Sequence, residues 1–305
     1  MNHNKAFIIV VVLLSASVSG YELYQRYNAE EEPRFQWPDK VDIPCNPDST
    51  EFACEVYAQV SSTPVKSLQH PTNNEIWIAA LNGIITSWDG TTMTEIGNLS
   101  NVISNCHNEQ GLLGFEFTHD FSSSQEILLS YTENADCEGG SNLSGMVIAS
   151  VEVVDNKINM NSLVELRTIA KENRNHNGGN LHSLNDGTYL WSLGDGGGSS
   201  DPYGNGQNVH NPLGTIQYFS YGDKTIEPVF DNYGNDTDYV LHHGLRNPWK
   251  FDTDNQGRLW IADVGQYCFE EVNVVPMLTQ SNFGWSEREG TVSYTHLTLP
   301  TSRSV

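Results

Sequence analysis

Short runs in which apolar and polar residues nearly alternate recur along the chain, each closed by glycine or a polar turn. The clearest are Glu75-Ile76-Trp77-Ile78-Ala79-Ala80-Leu81-Asn82-Gly83, Glu126-Ile127-Leu128-Leu129-Ser130-Tyr131, Gly187-Thr188-Tyr189-Leu190-Trp191-Ser192-Leu193-Gly194 and Gly257-Arg258-Leu259-Trp260-Ile261-Ala262-Asp263-Val264-Gly265. Successive side chains of a strand point to opposite faces, so these runs predict β-strands; only the N-terminal apolar run departs from that pattern. With Trp77, Leu128, Leu190 and Trp260 as equivalent points, the unit recurs at steps of 51, 62 and 70 residues. Repeats of about 40 to 50 residues with about four strands each mark a β-propeller, and longer steps leave room for rim loops. The expected class is therefore all-β, with a β-sandwich as the weaker alternative for the same short strands.

Composition narrows the partners. The chain holds 15 Lys+Arg against 38 Asp+Glu, a net charge of -23 that disfavours nucleic acid and anionic membrane surfaces. Residues 1–20 carry Lys5, the apolar run Ala6 to Leu14 and then small residues to Gly20, the layout of a secretory signal peptide. That run is shorter than the roughly 20 residues a membrane span needs, so no stable span and a periplasmic or secreted location are expected. Residues 21–50 are polar and proline-punctuated, with Glu30-Glu31-Glu32, and read as a linker or N-terminal arm. Five cysteines suit an oxidising compartment; Cys45 with Cys54 and Cys106 with Cys137 pair by proximity, and Cys268 is left over.

Candidate chemistry gathers in Asn175-His176-Asn177-Gly178-Gly179-Asn180-Leu181-His182, followed by Trp191-Ser192-Leu193-Gly194-Asp195-Gly196-Gly197-Gly198. Glycines let a backbone approach a ligand, and the pKa of histidine suits proton abstraction near neutrality. The glycine run lacks the Gly-Lys-Ser/Thr of a P-loop, and Ser199 stands where a dinucleotide fingerprint would close with glycine. Asp252-Thr253-Asp254-Asn255-Gln256-Gly257 has the carboxylate order of an EF-hand, but strand-like flanks make it a hairpin turn. Leu245-Arg246-Asn247-Pro248-Trp249 offers a guanidinium fork able to bind a carboxylate or quinone oxygen; an ordinary salt bridge is the plainer alternative. His242 and His243, adjacent on a strand, point to opposite faces and cannot easily share a metal.

Six segments together resemble the soluble quinoprotein glucose and sorbosone dehydrogenases, over roughly residues 55 to 290. They are Gln110-Gly111-Leu112-Leu113-Gly114-Phe115-Glu116-Phe117-Thr118-His119-Asp120-Phe121, Asn175 to Leu181, Leu193-Gly194-Asp195, His243 to Trp249, Asp263-Val264-Gly265-Gln266 with Glu270-Glu271-Val272-Asn273, and Asn282-Phe283-Gly284-Trp285. The resemblance is nearest to the branch shared with hedgehog-interacting-protein-like chains. It implies a six-bladed β-propeller, of which residues 51–290 would supply about four blades. It also implies pyrroloquinoline quinone (PQQ) and a calcium ion on one rim, a small-molecule sugar substrate and a separate electron acceptor. By the same resemblance His176 is the general base at the sugar C1 hydroxyl, and Arg246 with Asn247 lies against the quinone oxygens. Gly265 and Gln266 would give carbonyls to calcium, and Glu109, Gln110 and Asn175 would contact sugar.

Departures from the family pattern also stand out. Thr215 replaces a usual lysine, and the basic residues that grip the quinone carboxylates belong to blades beyond residue 290. Residues 291–305 match nothing in the pattern and read as foreign sequence joined to a fragment. Two functions are therefore expected to compete: PQQ-dependent oxidation of an aldose at C1 to the lactone, and a non-catalytic propeller that binds a protein or glycan through the same rim. A lactonase or hydrolase propeller with a rim calcium is a third and remoter one.

Overall fold

The first strands of successive sheets lie side by side, and everything that matters for function follows from that arrangement. The computed structural model describes residues 58–60, 62–134, 145–229, 239–267, 269–290 and 292–293. The expected signal peptide and arm at 1–50, Cys45, Cys54, Cys137, Cys268 and nearly all of 291–305 lie outside those residues. Blade 1 is β1 (Pro64–Gln69), β2 (Ile76–Ala80), β3 (Ile84–Trp88) and β4 (Met93–Asn98), antiparallel and in chain order. Blade 2 is β5 (Leu112–Phe117), β6 (Glu126–Thr132), β7 (Met146–Val154) and β8 (Lys157–Ile169), with the short helix α1 (Phe121–Ser124) between β5 and β6. Blade 3 is β9 (Gly178–Ser183), β10 (Thr188–Leu193) and β11 (Thr215–Gly222), whose outer edge is shared by β12 (Thr225–Pro228) and β13 (Val240–His243). Blade 4 is β14 (Pro248–Thr253), β15 (Arg258–Asp263) and β16 (Glu271–Pro276). A short β17 (Ser281–Asn282) then runs back parallel to β13.

The fold is thus a β-propeller with four blades among the described residues, and the sandwich alternative falls away. Trp77, Leu128, Leu190 and Trp260 all lie on the second strand of a blade, so the repeat in the sequence is the repeat of the architecture. Three apolar wedges join the blades. The first holds Trp77, Ile85 and Leu99 of blade 1 against Phe115, Leu129 and Tyr131 of blade 2. The second packs Leu113, Leu128 and Ile148 against Tyr189, Trp191 and Phe219 of blade 3. The third sets Leu190, Ile216 and Leu241 against Phe251, Leu259 and Ile261 of blade 4.

Alternation explains why the second strands look apolar throughout: Ile127, Leu129 and Tyr131 of β6 face one wedge, while Leu128 faces the next. At the axis, the inner strands β5 and β9 meet backbone to backbone, since a Cβ on Gly114 would overlap the Gly179 carbonyl. The first two strands of each blade are antiparallel, so the start of the first and the end of the second open on the same rim. Residues 109–111, 175–177, 194–197, 246–247 and 264–266 all occupy such positions, which brings the expected site residues to one rim.

Candidate functional site

His176 precedes the innermost strand of blade 3 and Asp195 follows its second strand. His176 is 4% exposed, and its Nδ1 lies 2.7 Å from Asp195 Oδ1. Asp195 is fully buried; Oδ1 also accepts the Gly197 N–H at 2.8 Å, and Oδ2 accepts the Trp285 indole N–H at 2.8 Å. With an ionised Asp195 this geometry makes Nδ1 the donor and leaves Nε2 as the basic nitrogen. Among the described residues Nε2 has no hydrogen-bond partner. Gly194 is required beside it, because a Cβ there would overlap the His176 carbonyl.

Arg246 and Asn247 enter from blade 4 and are locked to the same network. The Asp195 N–H donates to the Arg246 carbonyl at 2.8 Å. Asp263, at the end of β15, accepts the Arg246 N–H at 2.9 Å and the Asn247 N–H at 2.7 Å, and Asn247 Oδ1 accepts the Gly178 N–H at 3.0 Å. Burial pushes the Asp263 carboxyl up to about 7, against the pull of those two backbone donors. The Arg246 guanidinium lies 5.5 Å from the Trp285 ring, and Nη1 donates to the carbonyls of Val264 and Gly265 at 3.0 Å each. It meets no carboxylate at ion-pair distance among the described residues, so the salt-bridge alternative is not realised, and its buried Nε has no partner. A buried donor without an acceptor among the described residues fits an oxygen-bearing ligand such as a quinone.

Other expected residues distribute less evenly. Glu109, partly buried, accepts the His176 N–H at 2.7 Å and so stands next to the base. The Asn175 side chain reaches the Gly198 N–H at 3.4 Å, placing it at the rim beside the glycine loop. Gln110 is buried behind them, where its Oε1 accepts the Ser104 hydroxyl at 3.1 Å. The Gly265 carbonyl, expected to face calcium, accepts from the Arg246 guanidinium at 3.0 Å. Gln266 uses its side chain on Ser200, with Oε1 accepting that N–H at 2.5 Å and Nε2 donating to its Oγ at 3.0 Å. Among the described residues, no group of three or more His, Cys, Asp or Glu side chains is placed to hold a metal ion. The Gly265 carbonyl is thus engaged by Arg246, whose buried Nε keeps a donor free for a quinone oxygen.

Sequence reasoning quoted Asp195, Asp263 and Trp285 within family-like segments but gave none of them a role, and it missed Lys171. For Asp195 a signal existed, an acidic residue at a strand end one step before a glycine run. Lys171 carried none, because its partners are main-chain carbonyls of its own loop.

The fold and site define a β-propeller whose rim joins a buried histidine, an aspartate and an arginine. A family profile described as glucose/sorbosone dehydrogenase matches residues 62–304, and the chain belongs to that family. Over 134 residues it is 31% identical to the HIPL1 protein of Arabidopsis thaliana, covering 38% of this chain and 19% of that protein. The chain therefore spans about a fifth of the length of that curated relative. Its fold is similar to the PQQ-bound form of an aldose sugar dehydrogenase from Streptomyces coelicolor, with a TM-score of 0.64 at 22% identity, covering 78% of this chain and 66% of that one. A soluble aldose sugar dehydrogenase from Escherichia coli, in its apo form, is similar at a TM-score of 0.58 and 20% identity, covering 70% of this chain and 60% of the other. No helix among the described residues is long and apolar enough to cross a membrane.

Proposed function

We propose that this protein contributes the catalytic rim of a PQQ-dependent sugar dehydrogenase that oxidises an aldose at C1 to the lactone. The observation that carries the reading is that His176 and Arg246, from different blades, share one network through Asp195 and Trp285. Nε2 of His176 takes the proton of the C1 hydroxyl, since a hydride leaves that carbon readily only as the hydroxyl loses its proton. Asp195 holds the tautomer that makes Nε2 the acceptor and stabilises the imidazolium that forms. Arg246, with a partnerless buried Nε and Asn247 beside it, offers N–H donors to the oxygens of the quinone and the charge they gain. When bound, the quinone supplies the hydride acceptor. Glu109 and Asn175 line the sugar side, while the Gly265 carbonyl serves Arg246 instead of a calcium ion. Family membership and the fold shared with a quinoprotein support the same reading, and the signal-like N-terminal run supports a periplasmic or secreted site.

The test is dye-linked oxidation of aldoses by the protein supplied with PQQ, beside direct quinone binding by fluorescence quenching. His176→Ala is expected to lower turnover by about 10³-fold or more while quinone affinity changes less than about threefold. Full turnover in that variant would remove the assigned base. The rival reading, rim binding without chemistry, predicts no quinone quenching in either protein.

A further inference from the structure

Lys171 lies five residues before His176, on the loop that leads into β9, and is 3% exposed. Its ammonium donates to the carbonyl of Asn173 at 2.5 Å and to that of Asn175 at 3.0 Å. The second of these carbonyls belongs to the peptide that leads into His176. His176 itself sits at a φ of +52°, the left-handed region, in which a side chain bearing a Cβ is uncommon and costs on the order of 1–3 kcal/mol. Such a conformer persists only where its surroundings over-determine it.

Here they do, from several directions. Glu109 accepts the His176 N–H at 2.7 Å, the Asn173 N–H donates to Gly196 at 3.1 Å, and Asn177 Nδ2 donates to the carbonyls of Glu109 at 2.8 Å and Arg174 at 3.0 Å. Asn177 Nδ2 ties the loop to the Glu109 carbonyl of another blade, whereas Lys171 Nζ gathers two carbonyls of the loop itself, Asn173 and Asn175, on one atom and so bears on the curvature of the loop. Keeping an ammonium out of water is costly: burial pushes its pKa down to about 8, although Glu109, Asp195 and Glu172 pull the other way. A surface loop with no shape to keep would not need such a group.

We propose that Lys171 is a positioning residue for His176. By drawing the Asn173 and Asn175 carbonyls together it holds the imidazole in the left-handed conformer from which Nδ1 reaches Asp195 and Nε2 is left for substrate. The catalytic half of this inference rests on the dehydrogenase reading; the conformational half does not.

Two measurements separate them. The first is the rate at which diethyl pyrocarbonate modifies His176, followed residue by residue by mass spectrometry of peptides, in the wild type, K171M and K171Q. K171M keeps the length of the side chain without a donor, whereas K171Q keeps N–H donors without the charge. His176 is expected to react at least fivefold faster in K171M and within about twofold of wild type in K171Q, at comparable thermal midpoints. The second is the kinetic split in the quinone assay, where K171M is expected to lose about 10- to 100-fold in kcat with KM changed less than threefold, and K171Q to recover most of it. An unchanged His176 reaction rate in K171M, or equal perturbation in both variants, overturns the proposal. Should K171M not fold, K171S replaces it in the same comparison. A wild type that shows no dehydrogenase activity sinks the functional reading alone, because the modification rates still decide the role of Lys171.

Discussion

Both oxygens of Asp195 are committed inside the protein, to an imidazole, an indole and a backbone amide, whereas Asp263 faces two backbone amides and other carboxylates. The two acids therefore do different work on the same rim: one orients the base, the other ties the Arg246-Asn247 turn to β15. For Asp263 the consequence is a pH dependence of stability. Its carboxyl is raised by burial to about 7, above the ordinary unfolded value, so between about pH 4 and 7 the folded state binds more protons than the unfolded one. Stability from this group is thus fullest below the unfolded pKa and is lost as pH rises through 7. Asp263→Asn is expected to flatten the loss between pH 5 and 7.5, because an amide keeps a carbonyl acceptor for the backbone N–H groups but does not ionise. Urea midpoints across that range check it, and an unchanged slope in the variant would place the titration elsewhere. At this scale the sequence was legible where a residue type announces its chemistry, as His176 and Arg246 do. It was silent where burial and geometry assign the role, as with Lys171, whose partners are main-chain carbonyls that no side-chain pattern encodes.

Strand patterning carried the architecture because each middle strand must satisfy two wedges at once. Leu129 lies in the wedge between blades 1 and 2, and Leu128, its neighbour, in the wedge between blades 2 and 3. Both are fully buried, while Val274 of β16 is 40% exposed. Leu129→Ala is expected to cost about 2–5 kcal/mol, because packed strands on both sides prevent the cavity from collapsing. Val274→Ala is expected to stay within about 0.5 kcal/mol, and equilibrium urea unfolding of the pair gives the contrast. The hairpin at Asp252–Gly257 shows the same legibility at a turn: Asp254 accepts the N–H groups of Gln256 at 2.9 Å and Arg258 at 3.0 Å, and Gly257 takes a φ of +71°. That is a turn fastened by one carboxylate, as strand-like flanks predict, and no calcium loop. What patterning did not reveal is the outer edge of blade 3, where β12 and β13 both pair with β11. An edge strand faces weak packing demands, so its sequence carries a weak period.

Across the molecule, packing is graded from blade to blade. Among the described residues, blade 2 lies between two apolar wedges and blade 4 shares one with blade 3, while Trp260, Val272 and Val274 of blade 4 are exposed by 41%, 68% and 40%. Elements with few buried apolar contacts open at lower free energy than the whole. In the chain of 305 residues, blade 4 is therefore expected to open before blades 2 and 3, and the rim would come apart along the line between Arg246 and His176. Amide hydrogen exchange followed by mass spectrometry should show strong protection in β6, β7 and β10, and faster exchange in β15 and β16. A ligand bridging both halves of the rim would oppose that opening, because it binds the closed arrangement and not the open one. PQQ should then slow exchange in β14 and β15 more than in β6, while H176A, if its quinone affinity is kept, should retain that protection. Equal exchange in all four blades would mean that the propeller opens as one cooperative unit, and the rim site would then have no weak half to stabilise.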